Sequence, residues 1–179
     1  MRLVFAGTPD IAVPSLRALA AHAGWDVPLV LSQPDRPAGR GRKLRASPVK
    51  EAAEVLGLEV ATPGKPRDLR ARLEELAPDV VAVVAYGHIF RRWLLELPRH
   101  GCVNLHFSLL PRHRGVAPVQ WTILEGDPDA GVSVLRMDRG VDTGPVFRRS
   151  PVAVDEEETA GELLHRLADV GAAELERTL

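Results

Sequence analysis

The chain holds a single cysteine, Cys102, so it can form no intramolecular disulfide and has no cysteine spacing for a metal site. That fits a reducing compartment and speaks against secretion. It also lacks an apolar run of the length a membrane span needs, and the opening MRLVFAGTPD is broken at Gly7, Thr8 and Pro9, too soon for a signal peptide. A soluble, cytoplasmic monomer that does not engage membrane is the expectation. Net charge is nearly absent: 23 Lys and Arg stand against 24 Asp and Glu, for a formal charge of -1. No overall field therefore draws the molecule to nucleic acid, and any polyanion site must be local.

Two nucleotide signatures are missing as well. The first apolar run ends in Ala6-Gly7-Thr8-Pro9-Asp10, where a dinucleotide-binding fold would place its glycine fingerprint, but the second and third glycines are absent. Without them the backbone is not shaped for a pyrophosphate, which argues against NAD or FAD. There is no phosphate-cradling loop with its lysine. The histidines, His22, His88, His100, His106, His113 and His165, are scattered without metal-ligand spacing, so no metal is expected. Repeats and low-complexity tracts are also lacking.

What is present reads as one globular domain, since 179 residues with 45% hydrophobic composition suffice for one buried core and little more. Residues 2–6 and 79–85 are nearly continuous apolar runs, the pattern of parallel strands covered on both faces, and 26–31 and 102–107 are weaker versions. Helical spacing separates them: Ile11, Leu16, Leu19 and Ala20, then Val49, Ala52, Ala53 and Leu56, then Leu69, Leu73 and Leu76. This alternation predicts an α/β fold with a doubly wound, mostly parallel sheet, whose ligands bind beyond the carboxyl ends of the strands. Later, 131–137 and 145–154 are strand-like and joined by a short glycine-containing turn, which predicts an antiparallel hairpin. Thr159-Ala-Gly-Glu162 is a capping box opening a terminal helix, with Leu163, Leu164, Leu167, Val170 and Leu175 as its apolar stripe. The stretch from Gln33 to Arg45 carries two prolines, two internal glycines and five basic side chains, and is expected to be irregular, either a functional loop or a solvated one.

The most informative segment is Val103-Asn104-Leu105-His106-Phe107-Ser108-Leu109-Leu110-Pro111. Side chains alternate across a strand, so Asn104 and His106 share a face opposite Val103, Leu105 and Phe107. An amide that donates and an imidazole that moves protons suit a reaction that builds an oxyanion at a carbonyl carbon. The same pair would also serve as a hydrogen-bonded core network. Asp142, in Arg139-Gly-Val-Asp142-Thr-Gly144, is the candidate carboxylate: beside His106 it would favour the imidazolium and orient the ring. In a glycine-bracketed turn it can equally be turn chemistry.

The run Asn104-Leu-His106-Phe-Ser108-Leu-Leu-Pro111, with Arg114-Gly115-Val-Ala117-Pro118-Val-Gln120-Trp121 and Asp142-Thr143-Gly144, closely resembles the formyltransferases that use 10-formyltetrahydrofolate. Gly7-Thr8-Pro9-Asp10 and Gln33-Pro-Asp-Arg-Pro-Ala-Gly-Arg-Gly41 narrow the resemblance to the methionyl-tRNA formyltransferases. The resemblance spans essentially the whole chain. It implies a Rossmann-like formyltransferase domain over 1–179, without the C-terminal barrel domain of that family. It also implies formyl transfer from 10-formyltetrahydrofolate, as co-substrate, to the amino group of initiator methionyl-tRNA.

By the same resemblance Asn104, His106 and Asp142 are the catalytic trio. Tyr86, Gly87, Ser108, Leu109, Leu110, Pro111, Asp138, Gly140 and Val141 fall in segments that line the folate crevice. Arg36, Arg40, Arg42, Lys43 and Arg45 fall in the insertion that meets the tRNA acceptor stem, where a compact basic loop supplies the contact that net charge does not. Phe107 stands where the family has a small residue, so it either reshapes the folate cleft or packs into the core. His88-Ile-Phe90 likewise departs from the more aliphatic run expected after Tyr86-Gly87. Two other readings are carried: the same chemistry on a small amine, such as a sugar nucleotide or glycinamide ribonucleotide, and a non-catalytic RNA-binding module on the same fold.

Overall fold

The computed structural model describes residues 1–39 and 41–179. Strand β1 (Arg2–Gly7) has four consecutive residues, Leu3 to Ala6, fully buried. It lies between two parallel neighbours, β2 (Asp26–Leu31) and β6 (Val80–Val84). The short β5 (Val60–Ala61) extends one edge beyond β2. On the other side β7 (Cys102–His106) runs parallel to β6, and β8 (Asp129–Arg136) and β9 (Val146–Ala153) follow antiparallel, giving the order β5-β2-β1-β6-β7-β8-β9. The expected mostly parallel sheet and its late antiparallel hairpin are both present.

The apolar runs are continuous because the sheet buries both faces. Leu3, Phe5, Val80, Ala82, Val84, Val103 and Leu105 face one core with α1 (Val13–Ala21) and α6 (Ala160–Thr178). Val4, Ala6, Val81, Val83 and Cys102 face the other with α3 (Arg70–Leu76) and α4 (Arg92–Glu96). Two remaining helices, α2 (Pro48–Val55) and α5 (Pro118–Leu124), flank the first core. The short α4, α5 and β5 carry too little periodicity to be read from the sequence.

At the start of α6 the capping box forms as expected: Thr159 Oγ1 accepts from the Glu162 backbone N–H at 3.3 Å, while Glu162 Oε2 accepts from the Thr159 N–H at 3.0 Å. Gly171 lets this helix lie close to the sheet, since a β-carbon there would sit 2.6 Å from Leu105 Cδ2.

One expectation is corrected. The stretch 33–45 is not wholly irregular: β3 (Arg36–Ala38) and β4 (Lys43–Arg45) pair antiparallel, with Pro37 opposite Leu44. Proline removes a donor but not the extended conformation, and is tolerated in a strand that is all edge. Gly39 and Arg42 take φ of 69° and 45° to turn the chain. The ribbon has little core beneath it, with Leu44 71% exposed.

Among the described residues no helix is long and apolar enough to cross a membrane. Cys102 is fully buried, its Sγ 3.4 Å from the Leu94 carbonyl, and burial pushes its thiol up to about 12. The reactive form is the thiolate. Native protein at pH 8 should therefore resist iodoacetamide and become labelled only in denaturant, as mass spectrometry would read; fast native labelling would contradict this placement.

Candidate active site

The carboxyl ends of β1, β6 and β7 meet at one edge of the sheet. Asn104 and His106 share the face of β7 that Cys102 buries farther down, and the register sets Asn104 beside Val83 on β6 and His106 beside Ser133 on β8. Covered by helices, that face is apolar; at the strand's end it meets loops instead. The β8–β9 connection brings in Asp142, 36 positions beyond His106 in the chain, at a φ of 51°.

The three side chains converge. Asp142 Oδ1 lies 3.4 Å from Asn104 Nδ2, and Oδ2 lies 3.5 Å from His106 Nδ1. Oδ2 also accepts the Gly115 backbone N–H at 2.9 Å. On the ring's far side, His106 Nε2 is 2.9 Å from the His113 carbonyl. A carbonyl only accepts, so Nε2 carries a proton, and Nδ1 faces the carboxylate. Both contacts from Asp142 to the other two side chains are long for hydrogen bonds, so the group is close-set without being locked, as catalytic groups often are before substrate arrives.

A cavity of about 450 Å³ opens over Asn104, His106 and Asp142, walled by Tyr86, Gly87 and the stretch Gly115–Gln120. A smaller one of about 160 Å³ shares His88, Met137 and Asp142 with it and is lined further by Asp138, Gly140 and Val141. The 138–143 turn is held by Asp138 Oδ1, which accepts from the Gly140 N–H at 2.9 Å and Thr143 Oγ1 at 2.7 Å.

Of the residues expected in the crevice, Tyr86, Gly87, Asp138, Gly140 and Val141 line these two cavities. Ser108, Leu109, Leu110 and Pro111 line neither. Ser108 to Leu110 contact neighbouring protein groups: Ser108 Oγ donates to the Arg112 carbonyl at 2.6 Å, and Ser133 Oγ links the Ser108 carbonyl (2.7 Å) to the Leu110 N–H (3.0 Å). Arg149 holds the Leu110 carbonyl at 2.7 Å, and Leu109 packs on Gly131.

Phe107 packs into the core and also borders the larger cavity. It is 6% exposed.

Gln33 carries no signal in the sequence that marks it as a site residue, yet its Nε2 donates to the Tyr86 carbonyl at 3.2 Å, where Thr8 Oγ1 also donates at 2.9 Å. Arg36 donates to Gln33 Oε1 at 3.1 Å, so it ties the base of the basic hairpin to the cavity wall. Arg42, Lys43 and Arg45 are exposed on the ribbon, whereas Arg40 lies outside the described residues. Tyr86 Oη and His88 Nε2 are buried without a hydrogen-bond partner among the described residues. Burial, with the nearby Arg36 charge, holds His88 below the usual histidine range, and burial pushes the Tyr86 phenol up to about 12. The cluster His113, Glu125 and Asp127 has ligand types close together, but Arg112 already engages Asp127 at 2.6 Å and Glu125 at 3.3 Å.

The sheet is Rossmann-like, with Asn104, His106 and Asp142 gathered at its carboxyl end, and residues 1–179 match the formyl transferase family. The chain belongs to that family. It is 54% identical over 181 residues to the methionyl-tRNA formyltransferase of Bordetella pertussis, an alignment covering 96% of this chain and 58% of that protein. With the methionyl-tRNA formyltransferase of Pelotomaculum thermopropionicum it shares 49% identity over 181 residues, covering 100% and 58% respectively. The chain thus spans a little over half the length of these relatives. Its fold is that of glycinamide ribonucleotide transformylase 1 from Symbiobacterium toebii, with a TM-score of 0.83 at 21% identity over 99% of this chain and 85% of that one.

Replacing Phe107 by Ala should cost about 3–5 kcal/mol, the range for deleting a buried ring. Urea unfolding measures it, and a loss near zero would show that the ring belongs to the cavity alone.

Proposed function

We propose that this chain is the catalytic domain of an enzyme that transfers a formyl group from 10-formyltetrahydrofolate to the amino group of methionyl initiator tRNA. The observation that carries this reading is the convergence of Asn104, His106 and Asp142 beneath a cavity, on the sheet edge from which the basic hairpin projects. The methionyl-tRNA formyltransferases that share about half of its residues support the choice of acceptor. Their additional length would supply further contacts to the tRNA. A cytoplasmic location belongs to the same reading, and agrees with a thiol that stays unpaired.

In this mechanism the methionyl nitrogen attacks the formyl carbon, and negative charge develops on the formyl oxygen. Asn104 Nδ2, whose contact to Asp142 is long, donates to that oxygen, and the His106 ring does so through Nδ1 once that nitrogen has taken a proton, since its Nε2–H is given to the His113 carbonyl. The amine must lose a proton and the departing folate nitrogen must gain one. Asp142 and Nδ1 of His106, 3.5 Å apart, are placed to pass that proton between them. As the tetrahedral centre collapses, the bond from the formyl carbon to the folate nitrogen breaks and the new amide remains. Tyr86, Gly87, Asp138, Gly140 and Val141 would hold the folate; Arg42, Lys43 and Arg45, with Arg40, would neutralise tRNA phosphates, and Arg36 would brace the ribbon through Gln33.

Formyl transfer to methionyl-tRNA, measured with the folate donor, is the direct test. His106→Ala should lower the rate at least about 100-fold with the circular dichroism of the fold unchanged. An unaltered rate would reduce the trio to a structural network.

Replacing Arg42, Lys43 and Arg45 together by Ala should weaken tRNA use and flatten its salt dependence, by about 0.7 to 0.9 in the log–log slope for each phosphate that is no longer neutralised. Affinity for a folate analogue should stay as it was. A salt response indifferent to these changes would favour a small amine as the acceptor.

A further inference from the structure

We infer that His113 and Asp127 are positioning residues for the reaction centre: the Asp127 carboxylate pins the His113 ring so that the 113–115 backbone sets both His106 and Asp142. The inference rests on the reading of that pair as the reacting groups.

The contacts form a short chain. His106 Nε2 donates to the His113 carbonyl at 2.9 Å, and two residues on, the Gly115 N–H donates to Asp142 Oδ2 at 2.9 Å. One turn of backbone therefore touches the imidazole on one side and the carboxylate on the other. The first contact also decides chemistry, because it keeps the proton on Nε2 and leaves Nδ1 to face Asp142.

That turn is not one the chain adopts by preference. His113 has a φ of 51°, in the left-handed region that residues with a β-carbon disfavour, and Gly115 follows at 87°. Something must hold it. His113 Nε2 lies 2.7 Å from Asp127 Oδ2, with both side chains more than nine-tenths buried, and Arg112 binds Asp127 Oδ1 at 2.6 Å. Ser108 Oγ secures the Arg112 carbonyl at 2.6 Å. Asp127 thus grips consecutive residues of the turn through a charge-assisted pair, consistent with a carboxyl held below its usual range chiefly by the His113 hydrogen bond. The His113 and Asp127 side chains do not touch the larger cavity, so their effect on the reaction would pass through His106 and Asp142.

The test uses this chain with His113→Ala, Asp127→Asn and His113→Gln, the last keeping an amide that can still donate to Asp127. Nitrogen NMR of the His106 ring reports which nitrogen carries the proton, and formyl-transfer kinetics report the consequence. In His113→Ala and Asp127→Asn the Nε2–H form should lose its dominance and kcat should fall up to about 100-fold, with KM for both substrates unchanged. His113→Gln should restore both. An unchanged His106 ring signature in the Ala and Asn variants would overturn the inference, whether or not the rate falls, because a rate loss without it marks a merely structural role. If His113→Ala does not fold, the same readouts on Asp127→Asn decide the matter. Should His106→Ala leave formyl transfer intact, the catalytic reading fails, while the ring signature still tells whether His113 and Asp127 orient His106.

Discussion

Two polar side chains on a central strand create the constraint on which this structure turns. At the end of a strand buried on both faces His106 is 6% exposed and Asn104 only partly exposed, and an unpaired buried polar group is costly. Their partners must come from elsewhere, and they come from two loops: 113–115, which presents a carbonyl to His106 and an N–H to Asp142, and 138–144, which presents Asp142 itself. The same need that stabilises the strand end gathers Asn104, His106 and Asp142 there. Because the partners are loops rather than helices, the site stays open to the cavity.

Scaffold and chemistry are divided along the chain with little overlap. Ser108 to Pro111 look like part of the site because they follow His106 directly, yet their hydrogen bonds go to Ser133, Arg112 and Arg149. They fix where the next loop begins. On the opposite wall the Tyr86 carbonyl takes two donors, from Thr8 at the end of β1 and Gln33 after β2, so three parallel strands contribute to one anchor. Arg36 extends that anchor to the basic hairpin. The cavity wall and the ribbon therefore share a support.

Under the proposed function, the ribbon is what a chain of formal charge -1 offers to a polyanion. Arg42, Lys43 and Arg45 project from a two-stranded element that buries little of itself, so their stems are not committed to a core. Phosphate contact needs a local density of cations, not a basic protein. Elsewhere arginines are held by carboxylates, as Arg70 is by Glu74 and Arg166 by Glu158, and contribute little outward field.

The sequence by itself determined the strands of the main sheet other than β5, the helices with long apolar stripes, the α6 cap and the shared face of Asn104 and His106. These follow from periodicity, which acts between neighbours a few residues apart. It also carried Asp142, through resemblance rather than through spacing. Only the tertiary structure decided that Phe107 lies in the core while edging the cavity, that Ser108 to Pro111 brace rather than line it, and that Gln33, His113 and Asp127 belong to the site's support. Each of those outcomes depends on which distant backbone carbonyl or carboxylate arrives within about 3 Å. No local pattern encodes that arrival, because it is the packing of the whole sheet that brings residue 142 to residue 106.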